Sequence, residues 1–207
     1  MVTTPIISAR RSQEDRRRAT SKKLIEATIA VVIEKGYSGL KSSTIAERAG
    51  VTWGAVQHLF GEKQALLLTV ANQTYEELSS ALGANVSHSA SLEEKVDELI
   101  SVTWRIYKSD AYLAMVEILR GSRSDPTFNK KVRSRQQAVN EDVRKAWLDL
   151  FSNDPIDPDL IDEAREFVTV TLSGLAARRI FLKRISEPDE IFERLKQVAL
   201  SILSNTS

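Results

Sequence analysis

Four residues near the start of this 207-residue chain carry its clearest chemistry. Trp53, Gly54, Gln57 and His58 stand at positions i, i+1, i+4 and i+5 of a short segment, so a helix there turns all four to one side. An amide, a glycine and two polar-tipped aromatics make a poor face for water. They suit a helix that enters the major groove of DNA, where backbone must approach closely and side chains must reach base edges. Gln57 has the donor–acceptor pair that reads adenine in a bidentate fashion, or it touches phosphate. Trp53 packs on a thymine methyl or the sugar backbone, or is a surface hydrophobe. His58 fits phosphate contact or packing better than base reading, and His88 reads as an exposed loop residue without a role.

The elements that must hold this face are written in Ser42–Leu66, SSTIAERAGVTWGAVQHLFGEKQAL. Ile45, Ala46, Ala49 and Val51 form one inward face, and Val56, Leu59 and Phe60 form another. Ala46 and Ala49 are small enough for two helices to cross steeply, as in a helix-turn-helix. Gly50 suits the left-handed conformation that ends a helix, and Thr52 is placed to cap the next one. Charge follows the same division. Residues 1–60 carry ten Lys/Arg and five Asp/Glu, net +5; the other 147 residues carry nineteen and twenty-three, net −4. A basic N-terminal third on a mildly acidic body is the footprint of a polyanion-binding module. Its densest run is Arg10–Lys23, and residues 1–15 are expected to form a flexible basic arm, which either touches the minor groove or is simply solvated.

This stretch resembles the N-terminal DNA-binding domain of the TetR family of transcriptional regulators. The resemblance covers about Lys22–Leu67: a first helix ending Glu34-Lys-Gly-Tyr37, then Ile45-Ala-Glu-Arg-Ala-Gly-Val51, Gly54, Phe60, Lys63 and Leu66. It implies a homodimer in which each subunit has a three-helix reader and a helical ligand-binding and dimerisation domain. It further implies a repressor of a palindromic operator, released by a small molecule. On the family's pattern Thr52, Trp53, Ala55, Gln57 and His58 are DNA-facing, and Lys63 contacts phosphate. Three residues depart from it. Gln57 replaces a common Tyr, Trp53 replaces a small or cationic residue, and Lys41 replaces a capping Thr. Ser42 or Ser43 is then expected to cap the second helix, with Lys41 adding a phosphate contact; Lys41 and Ser43 join the DNA-binding candidates.

The rest of the chain shows apolar residues recurring at three and four, without strand alternation. The pattern predicts an all-α fold of nine helices: about 16–35, 43–49, 53–60, 62–82, 92–108, 111–120, 126–151, 158–184 and 188–204. Expected caps are Ser91 with Glu94 as a capping box, Asp110, Asp125 with Pro126, Asp157, and Glu187 near the last start. The reader is expected over residues 16–61, and the ligand-binding and dimerisation domain over 62–207. Phe167–Leu182 and the stripe Ile191, Leu195, Val198, Ala199 and Ile202 are the expected dimer helices, forming a four-helix bundle. Pocket candidates are Trp104, Tyr107, Tyr112, Met115, Leu119, Phe128, Trp147 and Phe167, with the polar intruders Gln136, Thr171 and Glu117. Glu117 pairs with Arg120, Arg123 or Arg178, faces a cationic ligand, or is exposed. An apolar lining points to a hydrophobic effector of moderate size.

The chain has no cysteine and only two histidines, which excludes thiolate chemistry, disulfides and most metal sites. No nucleophile–base pair or glycine-rich phosphate loop is present, so no catalysis, metal or cofactor is expected. No apolar run approaches the ~18 residues of a membrane span, and the N-terminus lacks a signal-peptide core. The expectation is a cytoplasmic protein without membrane contact. The competing expectation is a helical small-molecule-binding or scaffolding protein whose helix-turn-helix no longer binds DNA.

Overall fold

The computed structural model describes residues 5–85, 87–180 and 189–205. Among the described residues the chain forms nine α-helices and no strand: α1 (Pro5–Lys35), α2 (Ser42–Ala49), α3 (Trp53–Phe60), α4 (Lys63–Asn85), α5 (Leu92–Tyr107), α6 (Asp110–Gly121), α7 (Pro126–Leu150), α8 (Pro158–Ala177) and α9 (Asp189–Leu203). Single 3-10 turns follow α1, α6 and α8 at Tyr37–Gly39, Ser122–Ser124 and Arg178–Ile180. None of the described helices is long and apolar enough to cross a membrane.

Several helices start where the sequence signals them. The Ser91 hydroxyl accepts from the Glu94 amide while the Glu94 carboxylate accepts from the Ser91 N–H at 2.8 Å, a complete capping box. Asp125 accepts from the Phe128 N–H at 3.0 Å, with Pro126 in the first turn of α7. Asp157 caps α8 by accepting from Asp159 at 2.9 Å.

Four boundaries differ from the sequence reading. The cap of α6 is Ser109, which accepts from the Tyr112 N–H at 3.1 Å. Asp110 is instead the first helical residue, where its charge meets the positive helix end. Helix α4 passes through Gly83 to Asn85. A helical glycine costs only ~1 kcal/mol, and the buried stripe of α4 continues to Leu82. Helix α1 begins at Pro5, not at Arg16, so residues 5–15 are helical rather than an arm. Proline suits a first turn, and no breaker separates it from Arg16. Helix α8 stops at Ala177; residues 181–184 of its expected span, and Glu187 and Pro188 at the expected start of the ninth helix, lie outside the described residues.

Two cores result. The larger joins Leu99, Ile106, Trp147, Val168, Leu172, Leu195 and Ala199 from α5, α7, α8 and α9. The smaller joins Leu24, Val31, Val32, Ile45, Val56, Leu66 and Leu67 from α1 to α4. It is completed from outside the first 61 residues by Ala114 and Ile118 of α6 and by Phe128 and Val132 of α7. Full burial of such a side chain stabilises by ~1.5–3 kcal/mol, so α6 and α7 are structural parts of the end built from α1 to α4.

Candidate nucleic-acid interface

The turn between α2 and α3 determines which side chains point outward. Gly50 ends α2 at φ 67° and ψ 33°, the left-handed conformation that a Cβ disfavours. Thr52 then caps α3, its side-chain oxygen accepting from the Ala55 N–H at 3.3 Å. An Arg48–Glu34 ion pair ties α2 to α1. The N-terminus of α2 departs from expectation. Lys41 itself occupies the cap position and no side chain caps the helix, because the helix starts one residue early, at Ser42.

Lys41, Ser43, Thr52, Gly54, Gln57 and His58 are exposed. Ala55 is half-buried. Trp53 is not the free outward residue the helix face implies: it is half-buried against the smaller core. Helical spacing fixes an angle around the axis, but a large ring near the edge of the face reaches inward. Lys63, at the start of α4, is half-buried, and its ammonium donates to the Leu40 carbonyl oxygen at 3.0 Å. That bond uses one of three ammonium donors.

A wide groove of about 1400 Å³ separates the N-terminal half of α1 from α3. Arg16, Arg17 and Lys22 line one side, and Gly54, Ala55 and His58 the other. In the sequence those cations belong to a charged run, whereas the fold makes them the wall facing the second helix of the motif. The legible signal was Glu14–Arg18 and Lys22–Glu26, which form i,i+4 ion pairs at 3.2 Å and 3.9 Å on continuous helix.

A second cavity, of about 700 Å³, lies among α4, α5, α6, α7 and α8, within the ~300–1,000 Å³ of small-molecule clefts. Of the pocket candidates, Tyr107, Tyr112, Met115, Leu119 and Gln136 line it. The others do not. Trp104 packs edge-on against Phe192 of α9 at 5.4 Å. Glu117 pairs with Arg120 at 3.4 Å, the structural ion pair among the three options. Phe128 belongs to the smaller core and Trp147 to the larger. Phe167 is 37% exposed on α8, and Thr171 is half-buried off the lining. Periodicity identifies the apolar face of a helix but not which neighbour covers it.

Tyr75 of α4 and Asn140 of α7 line the cavity without having been foreseen. The Tyr107 and Tyr112 rings stack at 4.2 Å and 14°, and their hydroxyls hydrogen-bond to each other. Burial pushes the Tyr75 and Tyr107 phenols up to about 12 and the Tyr112 phenol higher still. All three are therefore neutral hydroxyls at physiological pH.

Residues 24–70 match the family described as bacterial regulatory proteins, tetR family. The helix-turn-helix transcriptional regulator CymR of Pseudomonas putida is 24% identical over 193 residues, covering 93% of this chain and 93% of that one. The transcriptional repressor AcnR of Corynebacterium glutamicum is 24% identical over 156 residues, covering 75% and 79%. In three dimensions the chain is similar to the fatty acid degradation regulator FadR from Bacillus halodurans, with a TM-score of 0.70 at 16% identity over 87% of this chain and 94% of that one. With a helix-turn-helix that matches the tetR family over residues 24–70, an all-helical remainder and these relatives, the chain is a transcriptional regulator similar to those of the TetR family.

Proposed function

We propose that the protein is a repressor that binds a palindromic operator as a homodimer and leaves it when a small molecule fills the cavity among α4 to α8. One observation carries this reading: α6 belongs to both ends of the molecule. Tyr112, Met115 and Leu119 line the cavity, while Ala114 and Ile118 of the same helix are fully buried in the smaller core. At its C-terminus, a Cβ added to Gly121 would overlap the ring of Tyr37, beside the end of α1. A ligand that shifts α6 therefore presses on the helix that supports α2 and α3. Gln64 at the start of α4 donates to Asp125 at 2.5 Å, a second tie across the same joint.

In this reading Lys41, Ser43, Thr52, Trp53, Ala55, Gln57, His58 and Lys63 face DNA. Arg16, Arg17 and Lys22 add positive potential along the groove. The dimer forms through α8 and α9, where Val170 is 62% and Phe167 37% exposed. Two α3 helices then sit ~34–36 Å apart, one turn of DNA.

The test is a gel shift on DNA flanking the protein's own gene, across a salt series and with a footprint. The expected result is a palindromic footprint whose affinity falls steeply with salt as counterions are released. Failure to find specific DNA there and in a random-sequence selection would reject operator binding.

A further inference from the structure

The 700 Å³ cavity holds a buried hydroxyl without a partner and further donors beside it. Tyr75 is only 7% exposed, lies on the wall, and its hydroxyl has no hydrogen-bond partner. The bond between Tyr107 and Tyr112 consumes one of their two hydroxyl protons and leaves the other. The Asn140 carbonyl oxygen accepts from Arg165 at 3.1 Å, so its amide N–H groups are what it offers the cavity. Thr169 and Ser173 are acceptors only at the edge of this set, since their hydroxyls donate into their own helix, to Glu166 and Val170.

Charge points the same way. Among the described residues Arg120 is on the lining and no Asp or Glu is. The nearby acid Glu117 faces Arg120. Arg165, 5% exposed, lies behind Asn140. A cation inside would find no free carboxylate among the described lining residues, since Glu117 and Asp162 are already paired with Arg120 and Arg165. The remaining wall is mostly apolar, with Leu78, Ile106, Met115 and Val143 among its residues; Gln136 and Gln137 add amides that offer donor and acceptor alike, and the Thr74 hydroxyl donates to the Val70 carbonyl of its own helix.

We propose that the cavity selects a compact molecule with an apolar body and a terminal acceptor oxygen, carbonyl or carboxylate, which the Tyr75 hydroxyl receives, and that it rejects amines. This rests on the effector reading above and names the chemistry of that effector.

The experiment is calorimetric titration of the full chain with three probes that share one body: 4-phenylbutanoate, its methyl ester, and 4-phenylbutylamine. The two acceptor probes bind, and the amine binds at least tenfold more weakly. Tyr75→Phe weakens both acceptor probes about tenfold, the size of one hydrogen bond, and leaves the amine unchanged. The difference between acid and ester says whether the acceptor is charged. Tyr107→Phe is the second variant, and it weakens the same two probes. Equal binding of the amine, no binding of any probe, or acceptor binding that neither variant alters overturns the proposal. A gel shift with the same probes reads the effector role separately. Probes that bind without releasing DNA remove the effector reading and leave the acceptor preference standing.

Discussion

The DNA-reading end and the cavity end are built to opposite specifications. The fully buried members of the smaller core are aliphatic apart from Phe128, and the buried hydroxyl of Thr28 beside it donates to the Leu24 carbonyl at 2.7 Å. The larger end contains the Tyr75, Thr103, Trp147 and Arg179 polar atoms that are buried without a hydrogen-bond partner. Each such atom costs ~1–3 kcal/mol. The difference shows where stability is exchanged for function. A reader must hold α3 at a fixed angle, so all its buried polar groups among the described residues are satisfied. Of the four atoms at the larger end only the Tyr75 hydroxyl lies on the cavity wall, where the proposed effector would satisfy it.

The strongest way to break this comparison is Phe128→Ala. Phe128 is 2% exposed and sits on α7, yet it packs in the reader core. Truncation is expected to destabilise by ~3–5 kcal/mol in denaturant unfolding. Probe binding by the fraction that stays folded is expected to hold. A cost below ~1 kcal/mol, or a loss of probe affinity in folded protein, would return Phe128 to the cavity and blur the two ends.

What the sequence revealed follows the same division. Gly50, Thr52, Ser91 and Asp125 act through local backbone geometry, so their roles are legible within four residues of chain. The reader motif is legible because its parts sit at fixed short spacing. The cavity is not, because its lining is set by which helices meet. Phe128 and Met115 look alike as apolar helix positions, yet they fall on different sides of a joint about which their sequence neighbours say nothing. Tyr75 was hidden for the same reason: α4 serves both ends, and only packing decides where the reader stops. The start of α1 was missed because a charged segment without a breaker resembles a solvated tail.

Gln57→Ala tests the reader alone. Gln57 is exposed on α3. If it reads adenine, the variant loses ~1–3 kcal/mol at one operator position and relaxes preference there. Selection from a randomised operator measures this. An equal loss on every sequence would assign Gln57 to the backbone.

Acid separates the two ends by a smaller amount. Burial raises the Asp162 carboxyl, but hydrogen bonds and charge from Arg165 and Arg144 overcome it and hold the group below its ordinary value of 3.8. Its contribution is therefore present above about pH 4 and is lost as pH falls through the lowered value. Protonation leaves the buried Arg165 facing a neutral partner, with Asn140 as its other contact. The reader's Arg48–Glu34 pair is half-exposed and contributes little. Near-ultraviolet circular dichroism is expected to show Trp104 and Trp147 losing fixed packing at a higher pH than Trp53 does. Asp162→Asn removes that difference. Simultaneous loss at all three tryptophans in the wild-type chain would mean that the ends do not respond separately.

The smallest effect belongs to Lys63, which lies at the joint itself. Its ammonium is held on the Leu40 carbonyl, just before α2, so it is either a structural tie or a phosphate contact that the tie aims. Lys63→Gln separates the two, because it removes the charge while keeping a donor. A phosphate role predicts that the slope of log affinity against log salt falls by about one unit. Sequence preference and thermal midpoint should stay near those of the wild type, since a phosphate contact carries no base information. An unchanged slope with a lowered midpoint would make Lys63 a purely structural tie. The basic wall of Arg16, Arg17 and Lys22 would then supply the phosphate contacts, and the reader's electrostatics would lie along α1 rather than at the start of α4.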